Sequence, residues 1–245
     1  MKYSVIMISY LEDYPGCAAY REHKLVRSIQ SFLNNDYPDK ELIIVSDGCQ
    51  KTIKIVECFF KGEDSIKVVY TEKSPGLFPG PKRQLGIENA TGNRIMYLDC
   101  DDYLTSDHIS FIDKQWEEEY DWVWWSWKRP IVKKEDGLWH HLKSEKTSHS
   151  FTMRPDIDHM WINQFIKIED GEVFATGTGS IAHSKKIDCK WDKSGIGEDK
   201  HFIENGLMKN YKKFKKVNAG YLVCHFNNFI RNKNNELVME QIYDI

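Results

Sequence analysis

The first hundred residues alternate between two hydrophobic rhythms. Tyr3 to Ser9 is a continuous run rich in Val, Ile and Met that stops at a polar turn, which predicts a buried strand. The next segment, "HKLVRSIQSFLNN", sets Leu25, Ile29, Phe32 and Leu33 at helical spacing and stops at Asn34-Asn35. Lys40 to Ser46 reads as a second strand ending at "DGC", and Ile53, Val56 and Phe60 continue as a second helical face. Ile66 to Tyr70 follows as a third strand, Gln84 to Ala90 as a short helix, and Arg94 to Leu98 as a fourth strand. Such alternation predicts an α/β protein with a mostly parallel sheet and right-handed crossovers. Ligands of open sheets lie beyond the carboxyl ends of the strands, a rule that gathers Ser9-Tyr10, Asp47-Gly48 and Asp99 to Asp102 along one edge.

After about Trp127 the alternation weakens. "KRPIVKKEDGLWHHLKSEKTSHS" is polar and irregular, a hairpin or mobile loop that separates two parts of the chain. A helical stretch near His159 to Ile166 comes next, then "GTGS", "GIGEDKHFIENGLMK", a strand-like "AGYLVCHF" and the polar tail "RNKNNE". Four of the eight tryptophans sit in "DWVWWSW", as a packed strand or an aromatic acceptor platform, with packing the expected use. Trp139 and Trp161 fit an acceptor wall or the core equally well.

Length and composition narrow the class. At 245 residues the chain can form one large or two small domains with a substantial core. Its 41% hydrophobic and 29% charged residues describe an ordinary globular protein, and a net charge of -3 carries no global signature of nucleic-acid binding. The one basic stretch, Lys209 to Lys216, is expected to be a solvated helix end, with contact to an anionic acceptor as its second use. No stretch approaches the roughly 18 apolar residues of a membrane span, and the N-terminal apolar run is too short for a signal peptide. Six cysteines without a CxxC pair suit free thiols in a reducing compartment, hence a cytoplasmic protein or one peripheral to a membrane or assembly.

Chemistry concentrates at "IMYLDCDDYLTSDH". Asp99, Asp101 and Asp102 end a hydrophobic strand, although mutual repulsion and desolvation both oppose that placement. Two hard oxygen donors two positions apart can grip Mn2+ or Mg2+ that also bridges a diphosphate. The plainer use is an acidic turn, with Ser106 or Asp107 capping the next helix.

Four segments, in order, resemble the family 2 glycosyltransferases of the GT-A fold: "SVIMISYLED", "LIIVSDGC", "GPKRQLGIENATGNRIMYLDCDD" and "GIGEDKHFI". The resemblance implies a Rossmann-like, mostly parallel central sheet flanked by helices, with a smaller C-terminal acceptor-side portion. Residues 1–130 would form the donor-binding half and 131–245 the acceptor-side and catalytic-base half of a single domain. It further implies that Asp47 bonds the uracil of a UDP-sugar, with Ser9 and Tyr10 lining the base pocket. Asp99 would face the ribose or sugar and share the metal with Asp101 and His225, while Lys82 and Arg83 meet the diphosphate or the sugar. Glu198 and Asp199 would be the catalytic pair, the aspartate serving as general base toward an acceptor hydroxyl. Asp47 also suits a plain Asp-Gly turn, Glu198-Asp199 a helix cap, and His225 a core position.

Some positions depart from the family pattern. Ser46 replaces the first acid of the usual Asp-Asp-Gly, and Lys82-Arg83-Gln84 stands where Ala-Arg-Asn is usual. No Gln-x-x-Arg-Trp follows the Glu-Asp pair, so single addition is expected rather than processive polymerisation. One displacement with one base inverts the anomeric centre. The acceptor classes left open are a glycan, a lipid-linked sugar and modified nucleic acid, and the rival reading is a non-catalytic nucleotide-sugar-binding module of a larger assembly. Other enzyme classes fit less well. A haloacid dehalogenase places its Asp-x-Asp after the first strand, "GLFPGPKR" lacks the Ser or Thr of a P-loop, and "SYLEDYPG" lacks the glycines of a Rossmann oxidoreductase.

Overall fold

The computed structural model describes residues 1–13, 21–73, 79–125, 132–135, 138–141, 166–169, 172–175, 178–191, 197–217, 219–222, 229–231 and 237–239. In chain order the elements begin β1 (Tyr3–Ser9), α1 (Arg21–Leu33), β2 (Lys40–Asp47), α2 (Gln50–Phe59), β3 (Ile66–Thr71), α3 (Gly80–Asn89) and β4 (Arg94–Tyr97). Next come β5 (Tyr103–Leu104), α4 (His108–Gln115), β6 (Trp122–Trp124), β7 (Val132–Glu135), β8 (Leu138–His141), β9 (Ile166–Glu169), β10 (Glu172–Ala175) and β11 (Ile181–Ser184). The C-terminal part holds α5 (Glu198–Lys200), which continues as a π-wound helix over His201–Met208, then β12 (Phe214–Lys216), β13 (Tyr221–Leu222), β14 (Phe229–Arg231) and β15 (Leu237–Met239).

Seven strands form the central sheet in the order β12-β6-β11-β4-β1-β2-β3. Within it β11 alone runs against its neighbours β4 and β6, and the remaining pairings are parallel. The expected mostly parallel sheet is therefore observed.

Alternation along β1 and β2 builds the two faces of this sheet. Val5, Met7, Leu42 and Ile44 join one apolar cluster with Leu25, Ile29 and Phe32 of α1 and Ile109 and Ile112 of α4. Ile6, Ile43 and Val45 point the other way, to Leu85 of α3 and Phe202, Ile203 and Leu207 of the C-terminal helix. Burial on both faces explains why these strands read as unbroken hydrophobic runs.

At the amino end of the sheet, Glu41 explains the local sequence Thr91-Gly92. Its carboxylate accepts from Ser4 Oγ at 2.5 Å, Thr91 N at 2.6 Å and Gly92 N at 3.1 Å, and pairs with Lys2 Nζ at 3.1 Å. Burial alone would raise its pKa, but these donors outweigh burial and hold it down to about 2. A Cβ on Gly92 would lie 2.6 Å from Ser4 Oγ and 2.7 Å from the Lys2 carbonyl, so only glycine fits.

Three expectations need correction or limits. α3 begins at Gly80 rather than Gln84, because Pro81 in a first turn forfeits only an N–H that has no helical partner; Lys82 and Arg83 therefore lie inside the helix. The basic stretch is a helix end only at its start. Phe214 to Lys216 pair in parallel with Trp122 to Trp124, and Phe214 stacks on Trp122 at 4.5 Å. Trp122 to Trp125 are buried, which settles the packed reading for that part of the cluster. The polar segment after Lys128 does form a hairpin, β7 against β8. The helix expected from His159 lies outside the described residues except for Ile166, which opens β9.

Candidate active site

Beyond β4 the chain turns sharply, Asp102 N donating to Asp99 O at 3.0 Å. The three carboxylates then part ways. Asp102 points inward, 1% exposed, and accepts from the Tyr221 hydroxyl at 2.8 Å, while the Asp99 N–H donates to that same hydroxyl at 3.1 Å. Helix α1 supports the turn from below: Arg27 Nη2 donates to Asp101 O at 2.5 Å and Ser28 Oγ to Asp99 O at 3.2 Å. Asp99 and Asp101 are left lining a cavity of about 310 Å³ at the carboxyl ends of β1, β2 and β4. The acids are tolerated at a strand end because Asp102 is buried against a hydroxyl, Asp99 pairs with Arg83 and Asp101 opens to the cavity.

Tyr221 thus fixes the turn from the far end of the sequence. Replacing it by Phe removes both contacts and leaves the Asp102 carboxylate buried without its hydroxyl. The expected cost is about 1–3 kcal/mol, read as a lower urea midpoint with an unchanged m-value.

Arg83 is the centre of the arrangement. From α3, its Nη1 donates to Glu198 Oε1 and reaches Asp199 Oδ1 at 3.4 Å, while Nη2 reaches Asp99 Oδ1 at 3.5 Å and Thr178 Oγ1 at 3.3 Å. Its guanidinium carbon lies 5.0 Å over the ring of Trp191, which stacks on Phe202 at 4.0 Å and donates through Nε1 to Tyr97 Oη at 2.8 Å. Burial disfavours the Arg83 charge, but Asp199, Asp99 and Glu198 outweigh it and raise its pKa above the ordinary value. Behind it, Tyr97 Oη bonds His183 Nε2 at 2.7 Å; burial lowers the His183 pKa to about 4, so this imidazole is neutral at pH 7.

The two members of the Glu198-Asp199 pair have different surroundings. Glu198 is buried, with one oxygen on Arg83 and the other accepting the Gly80 N–H at 2.7 Å, so it braces the start of α3. Asp199 keeps 26% of its side chain exposed. Burial, offset in part by Arg83 and reinforced by the charges of Asp99 and Glu198, pushes its pKa up to about 6. The π-wound turns that follow are a geometry frequent at functional sites.

Tyr10, Asp47 and Lys73 line the other end of the cavity, and Arg21 also borders it. Gly48 has φ +66°, and a Cβ there would lie 2.6 Å from Lys73 Cβ, so the turn after β2 requires glycine. Lys73 lies over the Tyr10 ring at 4.4 Å and donates to its hydroxyl.

Among the residues singled out in the sequence, Tyr10, Asp47, Arg83, Asp99 and Asp101 line one cavity, with Asp199 reached through Arg83. Two placements differ from expectation. The Ser9 side chain is turned inward, fully buried and 2.8 Å from Thr52 Oγ1, because β1 alternates and its last residue faces the core rather than a base pocket. Lys82 is anchored at the Asp47 end, away from the acidic turn. His225 lies outside the described residues, as do Trp161 and the side chain of Trp139. Arg21, Lys73, Thr178, Trp191 and Tyr221 were not singled out as site residues. Thr178 fell in "GTGS" and Tyr221 in the strand-like "AGYLVCHF", neither with a role.

The acidic turn suits a divalent ion. Asp99 and Asp101 offer hard oxygens at an accessible cavity wall, and among the described residues no group of three or more His, Cys, Asp or Glu stands ready to hold a metal unaided. Such a donor set fits an ion that takes its remaining ligands from phosphate and water.

The sheet and the acid-lined cavity at the carboxyl ends of its strands define the GT-A class. The Glycosyl transferase family 2 profile matches residues 4–180, and the chain belongs to that family. An uncharacterized glycosyltransferase of Haemophilus influenzae is 34% identical over 86 residues, 35% of this chain and 34% of that protein. The poly(ribitol-phosphate) beta-N-acetylglucosaminyltransferase TarS of Staphylococcus aureus is 29% identical over 121 residues, 46% of this chain and 19% of that protein. The chain thus spans about a third or less of these two relatives. Among solved structures, residues 1–349 of S. aureus TarS in complex with UDP-GlcNAc superpose with a TM-score of 0.59 at 18% identity, covering 91% of this chain and 58% of that one. A mannosyltransferase from Pyrobaculum calidifontis, in complex with GDP-Man and Mn2+, gives 0.51 at 12% identity, covering 91% and 56%. At these identities the likeness bears on the fold.

Among the described residues no helix is long and apolar enough to cross a membrane.

Proposed function

We propose that the protein is an inverting glycosyltransferase that moves one sugar from a nucleotide-diphosphate sugar, a UDP-sugar by preference, to an acceptor hydroxyl. The observation that carries this reading is the bridge of Arg83 between Asp99, at the acid-lined cavity, and Asp199, the half-buried carboxylate of raised pKa. In this reading residues 1–130 supply the donor half and residues 131–245 the acceptor side. TarS in complex with UDP-GlcNAc supports the donor class.

In the proposed reaction Asp47 accepts an N–H from the base, and Arg21, Lys73 and Arg83 supply positive charge along the cavity wall. Asp199 takes the proton of the acceptor hydroxyl as its oxygen bonds the anomeric carbon and the bond from that carbon to the diphosphate breaks. A single displacement of this kind inverts the centre. Asp99 and Asp101 would hold Mn2+ or Mg2+, which when bound would add charge neutralisation for the departing diphosphate. The acceptor is a hydroxyl of a glycan, a lipid-linked sugar or a modified nucleic acid. The rival role of a sugar-nucleotide-binding module without catalysis leaves the raised carboxylate of Asp199 without a use.

Calorimetric titration of UDP tests the donor site. With Mn2+ present UDP is expected to bind, and chelator or Asp101→Asn to weaken it at least about tenfold, the worth of one charge-assisted contact. Equal binding with and without metal would remove the acid pair from the donor site.

A further inference from the structure

We infer that Lys82 is a positioning residue for nucleobase selection: its ammonium pins the Asp47 carboxylate at the base end of the donor cavity. The inference rests on the reading of this cavity as a nucleotide site and adds to it the residue that makes Asp47 selective.

Lys82 occupies the first turn of α3, where a contact with the phosphates or the sugar would be the simple expectation. Its Nζ instead turns to the ends of β2 and β3. There it donates to Thr71 Oγ1 and to the Glu72 carbonyl at 2.6 Å, and its charge pairs with Asp47 Oδ1 at 3.4 Å. Two of its three N–H donors are thus spent on the protein, and its charge is turned to Asp47 rather than to the acidic turn. Asp47 and Thr71 are themselves cross-strand partners, which gives the lysine two fixed points on adjacent strands. Its side chain is 14% exposed and that of Asp47 11%, so the pair is shielded from the competition of water that weakens surface ion pairs.

The consequence for a ligand follows from the shape of the bases. A carboxylate held still at the cavity wall accepts an N–H such as N3–H of uracil. Cytosine presents a bare lone pair at the same position, and a carboxylate oxygen repels it. An unpinned aspartate could rotate away from that repulsion, and the distinction would fade. Ser46, where the family pattern has an acid, strengthens the need for a tether, because its hydroxyl is committed to the Cys49 carbonyl at 2.7 Å and lends nothing to the base. Lys82 therefore supplies rigidity where a second carboxylate is missing.

The test is a set of calorimetric titrations of UDP, CDP and pyrophosphate into the wild type, Lys82→Met, Lys82→Arg and Thr71→Val, all with Mn2+. The wild type is expected to prefer UDP over CDP by about 10- to 100-fold, the span of one hydrogen bond to a charged group. Lys82→Met should bring that ratio toward one while pyrophosphate binds as before, and Thr71→Val should move it in the same direction by less. Lys82→Arg, which can keep an ion pair with Asp47, should restore part of the preference. A ratio unchanged in Lys82→Met, or a parallel loss of UDP, CDP and pyrophosphate, would overturn the inference and make Lys82 a phosphate ligand or a structural tie. Absence of any uridine-nucleotide binding by the wild type would overturn the donor-site reading itself, and this inference with it. Should Lys82→Met not fold, the ratios in Thr71→Val and Lys82→Arg decide.

Discussion

Replacing Arg83 by Met is expected to destabilise the protein by about 3–5 kcal/mol, the usual cost of removing one partner from a buried ion pair. Three carboxylates depend on this guanidinium, and the Glu198 side chain is only 8% exposed. Lys should not substitute, since one ammonium cannot occupy the positions of Nη1 and Nη2 at once. Thermal unfolding would show the effect as a midpoint lower by roughly 10 °C. Adding Glu198→Gln to Arg83→Met should recover part of the loss, because the buried charge without a partner is what makes the single change costly. If the double variant is no more stable than the single one, packing of the side chain on Trp191 carries the energy instead.

Replacing Asp199 by Asn should separate catalysis from stability. Loss of a general base lowers transfer by about 10²–10⁴-fold, with UDP affinity unchanged. In the wild type, the rate of UDP-sugar turnover, to acceptor or to water, should rise with pH through about 6 and then level, since the base must be ionised. The stability effect has the opposite sign. The folded pKa of about 6 lies above the ordinary 3.8, so the protonated form favours the fold and that contribution is lost as pH rises through 6. At pH 8 the Asn variant should therefore exceed the wild type in unfolding free energy by about 1–3 kcal/mol in metal-free buffer. A variant that loses activity without gaining stability would place the perturbed carboxylate elsewhere.

β1, β2 and β4 were legible because strands buried on both faces leave continuous apolar runs, and β3, half-exposed at the sheet edge, because its run is β-branched and aromatic; all four observed bounds lie within a residue of the expected ones. The start of α3 was not legible: "PGP" reads as a break, although proline is at home in a first helical turn. Nor was β12, whose Phe-Lys-Lys carries a single apolar side chain in a short edge strand. At the site, the acids at Asp99 and Asp101 and the candidate base at Asp199 stood out as local motifs. Their assembly did not, because Arg83 joins partners 16 to 116 positions away and Tyr221 reaches Asp102 across 119. Sequence spacing records neighbours along the chain, whereas this centre is made of contacts across it.

The single reversed strand has an evolutionary consequence. Since β6 ends and β11 begins at the same edge of the sheet, the chain leaves at Trp125 and returns at Ser180, where Trp125 N donates to Ser180 O at 3.0 Å. The two described ends of the intervening segment therefore meet at one joint of the sheet. A segment whose ends meet in this way can be lengthened or shortened without changing the strand order, since closing a longer loop costs only about 0.6 kcal/mol per doubling. Change at this joint leaves the strand order and the cavity at the ends of β1, β2 and β4 in place.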